Sequence, residues 1–185
     1  IPDDEARRLV ETLAGLPLAI HLAAGYLAAG YTPAEFIENL EATRLALEPE
    51  NPAESGLSRD PRRLILASAF DLSLDVLNRR IPDAGPAFPA LGILPAAGFG
   101  ISLGAAAMGM DLGPARRVLD AARKLSLVER LRTDGDGPVR WRVHPLLAAH
   151  LRGRTDDDAA GDRATAWFMA RLPKPADDDY TTWRE

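Results

Sequence analysis

The chain contains no cysteine, so neither a disulfide nor a thiolate metal site is open to it. Lysine is nearly absent: Lys124 and Lys174 are the only two, and neither sits in a glycine-rich loop. No G-x-x-x-x-G-K-[ST] occurs, and no G-x-G-x-x-G follows a strand-like run, so these residues do not build a phosphate-binding loop of their own. Histidine is limited to His21, His144 and His150. The last two stand six apart, the wrong spacing for one helix face, so no metal site is expected. No serine lies in a nucleophile elbow or triad-like setting. No apolar run approaches the ~18 residues of a membrane span. The opening "IPDDEARR" is acidic and helical in type, unlike a secretory signal. The expectation is a cytoplasmic chain that is not an enzyme on its own.

What is present fits a soluble globular protein. The 185 residues are 46% hydrophobic and 26% charged, enough for one domain or two small ones. Arginine outnumbers lysine twenty to two, a bias expected of a high-GC genome. The net charge of −5 is unevenly spread: residues 59–155 hold 15 basic and 9 acidic side chains (+6), the remainder 7 and 18 (−11). A basic middle between acidic ends suits an anionic partner, although solvent-facing arginine explains it equally well.

Helical signals dominate. Residues 2–14 form an amphipathic helix with Asp3, Asp4 and Glu5 at its positive end, and Gly15 is placed to end it in a left-handed conformation. Pro17 starts a second helix, to about Ala29, that is apolar nearly all round and so calls for cover on every side. "TPAE" opens a third with a Thr32–Glu35 capping box. The Pro-, Glu- and Ser-rich stretch to residue 60 reads as a linker. Helix resumes at Pro61 and runs to about Arg80. "AFPALGILP" reads as a short helix ending at Pro95, Ser102 as the cap of another, and Pro114–Leu125 as a fourth. "SLVERL" (126–131) and "VRWRV" (139–143) alternate as strands around the turn sequence "TDGDGP". Val139, Trp141 and Val143 share one face, Arg140 and Arg142 the other. "PLLAAHLR" returns to helix. This order is that of a winged helix-turn-helix. The expected fold is mainly α: a helical subdomain (1–48), a linker (49–60), a winged-helix domain with a small β-hairpin (61–155), and the start of a C-terminal helical region (156–185). The aspartate runs at 156–158 and 177–179 read as a helix start and a solvated tail rather than as paired catalytic carboxylates.

Two short stretches have adequate structural accounts and invite a second one. In "GLPL" (Gly15, Leu16, Pro17, Leu18) a helix-ending glycine precedes a helix-starting proline. In "VHPLL" His144 ends a strand and Pro145 begins a helix. Together, "LAGLPLAIHLAAGYLA", "ILASAFDLSLDVL" and "LDAARKLSLVERL…RWRVHPLLAAHLR" resemble, in that order over residues 1–155, the GLPL segment, the winged-helix start and the recognition helix, wing and MHD-type motif of the NB-ARC (AP-ATPase) group of STAND signalling NTPases.

The resemblance implies that Gly15, Leu16, Pro17 and Leu18 lie at a nucleotide, with Pro17 against the adenine. It implies that His144 hydrogen-bonds the β-phosphate of ADP in a closed resting state. It also implies ADP or ATP, with Mg²⁺ in the intact parent, shared with an upstream P-loop domain, a C-terminal repeat sensor, and self-association on activation. The sequence departs from the family at Pro145, where an acidic residue is usual, so the orientation of His144 does not carry over.

Two other readings stand beside it. One is a winged-helix DNA-binding module, with Arg116, Arg117, Arg123 and Lys124 on the recognition helix and Arg140 and Arg142 on the wing as anion contacts. The other is an interaction scaffold. No membrane partner is expected.

Overall fold

The structure, a computed structural model, describes residues 1–47, 60–131, 138–152, 154 and 156–172. The expected linker and the 177–179 aspartates lie almost wholly or wholly outside the described residues.

Helix α1 (Asp3–Thr12) carries its acids in the first turn and buries Leu9, with Leu13 buried just beyond it. It stops earlier than expected. Gly15 N–H reaches Val10 O at 3.0 Å and Ala14 N–H reaches Glu11 O at 2.9 Å, the paired bonds of a Schellman end. The left-handed turn therefore falls on Ala14 (φ +51°) as well as Gly15 (φ +65°), not on the glycine alone.

Helix α2 (Pro17–Ala28) has Pro17 at its first position, where a missing N–H costs nothing. Much of its cover comes from within the chain, though not on every side. Ala19, Leu22, Ala23 and Tyr26 are buried against the next two helices and Gly25 against Leu125, while Pro17, His21, Ala24 and Ala28 stay exposed. Helix α3 (Pro33–Leu47) begins with the expected capping box: Thr32 N–H donates to Glu35 Oε2 at 2.7 Å and Glu35 N–H to Thr32 Oγ1 at 3.2 Å. Its Phe36, Ile37 and Leu40 close the bundle, with Phe36 edge-on to the Tyr26 ring.

Helix α4 (Pro61–Arg80) is capped by Asp60, whose carboxylate accepts from Arg62 N–H at 3.0 Å. It packs on α2 and α3, and its apolar side chains belong to one core shared with the rest of the chain. Ser68 and Ser73 are buried within it without cost, because each hydroxyl donates to the carbonyl one turn back, Leu64 O and Ala69 O.

The expected helix "AFPALGILP" is instead a one-turn helix α5 (Ala84–Ala87) followed by a 3₁₀ segment (Phe88–Ile93). Pro86 and Pro89 each remove a donor that a continuous α-helix requires. Strand β1 (Phe99–Gly100) gave no alternation signal, being two residues long. Helix α6 (Ile101–Met108) starts from Gly100, so Ser102 lies inside it and is not its cap. Helix α7 (Leu112–Lys124) starts after Asp111, with Pro114 in its first turn rather than at its start. Strands β2 (Val128–Leu131) and β3 (Arg140–Val143) pair antiparallel, and β1 adds to the other edge of β3, giving the order β1-β3-β2. The succession α4, β1, α6, α7, β2, β3 in that sheet order is a winged helix-turn-helix.

Helix α8 (Pro145–Leu151) follows the hairpin and sits on the 3₁₀ segment. Helix α9 (Asp157–Met169) is capped by Asp156, which accepts from Ala159 N–H at 2.9 Å. It lies on α6, burying Ala160 and Ala164, and Arg163 donates twice to Ala107 O, at 3.1 and 2.8 Å. No helix among the described residues is long and apolar enough to cross a membrane.

Candidate functional site

The GLPL stretch forms the joint between α1 and α2. Gly15 supplies a left-handed turn with open space around it, and Leu16 is the N-cap residue of α2. Leu16 and Leu18 turn their side chains toward the core, which leaves the Pro17 ring exposed between them. Two apolar anchors thus hold a rigid ring outward at the start of a helix. Further along the same helix Gly25 meets the backbone of Leu125, at the end of α7. The GLPL bundle is in this way seated on the winged-helix half.

His144 follows β3 directly and is the N-cap of α8. Its Nδ1 accepts from Leu146 N–H at 3.2 Å. A neutral imidazole whose Nδ1 accepts carries its proton on Nε2. No hydrogen-bond acceptor for that Nε2 occurs among the described residues, and the side chain is half-buried. The capping bond itself fixes the ring, and Pro145, at the first position of α8, follows it directly.

At the far end of α8 stands a cluster with no warning in the sequence. His150 Nε2 lies 2.7 Å from Asp71 Oδ1 on α4, and Arg154 engages the same carboxylate through both terminal nitrogens, at 2.7 and 3.2 Å. The Asp71 side chain is 15% exposed. Burial alone would raise its pKa, but hydrogen bonds and charge from His150 and Arg154 outweigh this and hold the carboxyl below its ordinary range. The residues are 79 and 83 positions apart, so only the fold unites them.

The basic side chains divide into two groups. On the wing, Arg140 donates to Gly98 O at 2.6 Å and Arg142 pairs with Glu129 across the hairpin. These two, expected as anion contacts, are engaged in holding the sheet. On α7, Ala115, Val118, Leu119 and Ala122 are buried while Arg116, Arg117, Arg123 and Lys124 are exposed. Packing and positive charge therefore occupy different faces of one helix and do not compete.

Pro17 and His144 line none of three cavities in the winged-helix half. The largest, about 530 Å³, lies between α4 and α5 and includes Asp75, Asn78 and Arg154. One of about 340 Å³ lies between Phe99, Val139 and the Trp167–Phe168 end of α9. The smallest, about 170 Å³, lies between α7 and the wing. Among the described residues no group of three or more metal-ligating side chains occurs.

No protein-family model matches the chain, and no curated protein matches it.

Proposed function

We propose that the chain is the regulatory portion of a nucleotide-dependent switch of the NB-ARC type, working with a P-loop domain that these residues do not supply. The observation that carries this reading is the His144 ring. Its Nδ1 is occupied by the start of α8, and its Nε2–H is left as a positioned donor with no acceptor among the described residues. A hydrogen bond from that N–H to the β-phosphate of ADP is charge-assisted and worth about 1.5–3 kcal/mol. Made only in the ADP-bound form, such a bond is the differential contact that a two-state switch requires. Pro17, exposed and rigid between two anchored leucines, suits the flat face of an adenine.

ADP and ATP fit these residues as ligands shared with the upstream domain, which would also hold the Mg²⁺. The reading implies a cytoplasmic protein, a C-terminal sensor beyond α9, and self-association in the active form. It also implies that the 185-residue chain alone does not hydrolyse ATP.

The test uses a protein extended upstream to include the P-loop domain. His144→Ala is expected to speed ADP release about 10- to 150-fold, the equivalent of ~1.5–3 kcal/mol. His144→Asn keeps an acceptor for Leu146 N–H but is too short to reach the same phosphate. It is expected to preserve thermal stability and still lose ADP. Unchanged ADP release in both variants would remove His144 from the site.

A further inference from the structure

The 170 Å³ notch beside α7 is lined by Ile101, Arg116, Asp120, Arg130, Val139 and Trp141. Its position follows from the hairpin register. Arg130 stands opposite Trp141 and shares the sheet face of Val128 and Val143, the face turned to the helices. Val128, Trp141 and Val143 are buried there, but Arg130 lies past the edge of the core and its head emerges beside Arg116. Two guanidinium groups from different elements thus line one small opening. Neither has a hydrogen bond or an ion pair among the described residues. Arg117, Arg123 and Lys124 continue the positive charge along the exposed face of α7. Asp120 is the acid in the notch, and it opposes an anion there.

The size of the notch restricts what enters it. Sites that enclose whole small molecules are roughly 300–1,000 Å³. This one admits a group, not a molecule. Guanidinium forks match the oxygens of a phosphate. Between Arg116 and Lys124 the exposed side chains of α7 are arginine, lysine and aspartate, with none of the aromatic anchors that protein interfaces favour. Helix α7 is about 20 Å long, a length that a major groove accommodates with its flanking phosphates.

We infer that this face binds the sugar–phosphate backbone of duplex DNA, with a phosphodiester seated in the notch between Arg116 and Arg130. The site is separate from His144. By the strand register His144 follows Val143 at one end of the hairpin, whereas Arg130 and Val139 lie toward the turn at the other. The inference does not depend on the nucleotide reading.

Fluorescence anisotropy of a labelled mixed-sequence duplex of about 20 base pairs, with KCl varied from about 50 to 200 mM, tests it. Binding is expected at the low end and is expected to fall steeply with salt. Arg116→Ala and Arg130→Ala are each expected to flatten the plot of log affinity against log salt by about 1. Both side chains are exposed, so the melting temperature should not move. Asp120→Asn is expected to tighten binding, a gain that loss of folding cannot produce. Parallel titrations with ADP, inorganic phosphate and poly-glutamate separate the sources of the anion. Failure of the duplex to bind at about 50 mM KCl would overturn the inference. So would binding indifferent to all three substitutions, or displacement of the duplex by ADP or phosphate at stoichiometric levels. Tight capture of poly-glutamate in the absence of duplex binding would assign the face to an acidic protein instead.

Discussion

Gly25 of α2 rests on the backbone of Leu125 at the end of α7: a Cβ at position 25 would stand 2.8 Å from the Leu125 carbonyl carbon. That close approach brings the GLPL bundle against the helix that precedes the wing.

A substitution there sets two effects against each other. Alanine in a helix interior is favoured over glycine by about 1 kcal/mol. Here it meets backbone, which cannot rotate away as a side-chain tip can. Overpacking of that kind costs typically 1–3 kcal/mol. Gly25→Ala is expected to lower stability in urea denaturation, and Gly25→Val to lower it further. An increase on Gly25→Ala would show that α2 and α7 do not meet in this way.

Ala14 is the opposite case. It holds φ +51° at the Schellman end of α1, in a region that costs a residue with a Cβ about 1–2 kcal/mol. Glycine removes that strain but adds freedom to the unfolded chain. Ala14→Gly is expected to raise stability by up to about 1 kcal/mol, read as a higher melting temperature. Gly15→Ala, at φ +65°, is expected to lower it although nothing crowds the position.

Asp71 gives the chain a pH dependence of known sign. Its folded pKa is below the unfolded value, so its carboxylate stabilises the fold above the ordinary carboxylate range of about 4. That contribution is lost as pH falls through the lower, folded value. Asp71→Asn is therefore expected to be less stable than the parent near neutrality, with the gap closing in acid. Asp71→Ala also leaves Arg154 and His150 without their partner, and a loss of about 2–3 kcal/mol is expected at pH 7. A gap between parent and Asp71→Asn that stays constant from pH 7 to well below about 4 would contradict the ion-pair account.

Arg163 tests how α9 is held. Its two bonds to Ala107 O tie α9 to α6 alongside the buried Ala160 and Ala164. Arg163→Met keeps the stem and removes the donors. Amide exchange over 157–169 is expected to quicken while that of α4 stays the same.

The helices were legible because their ends are written in short-range chemistry. Thr32 and Glu35, Asp60 before Pro61, and Asp156 at the last helix each announce a start within four residues. The hairpin was legible because Trp141 and Val143 alternate with Arg140 and Arg142. Failures came where the signal is long-range or too short. Strand β1 has two residues and exists only because Phe99 finds Trp141. Ser102 looks like a cap, but the chain turns two residues earlier at Gly100. Of the candidate site, the placement of Pro17 and His144 at helix starts could be read from the proline after each turn. The Asp71–His150–Arg154 cluster and the pairing of Arg116 with Arg130 could not, because each joins elements that no local pattern relates. Arg140 and Arg142 looked free in the sequence because their partners, Gly98 O and Glu129, become neighbours only once the sheet has formed.

Helix α8 has seven residues and is about 10 Å long, too short to bend and pinned along its inner side by Leu147, Ala148 and Leu151. It has an imidazole at each end, one fixed by its own first turn and the other by a carboxylate on α4. Such a rod has no slack. One short, rigid element thus stands between the ring that follows β3 and the Asp71 carboxylate on α4.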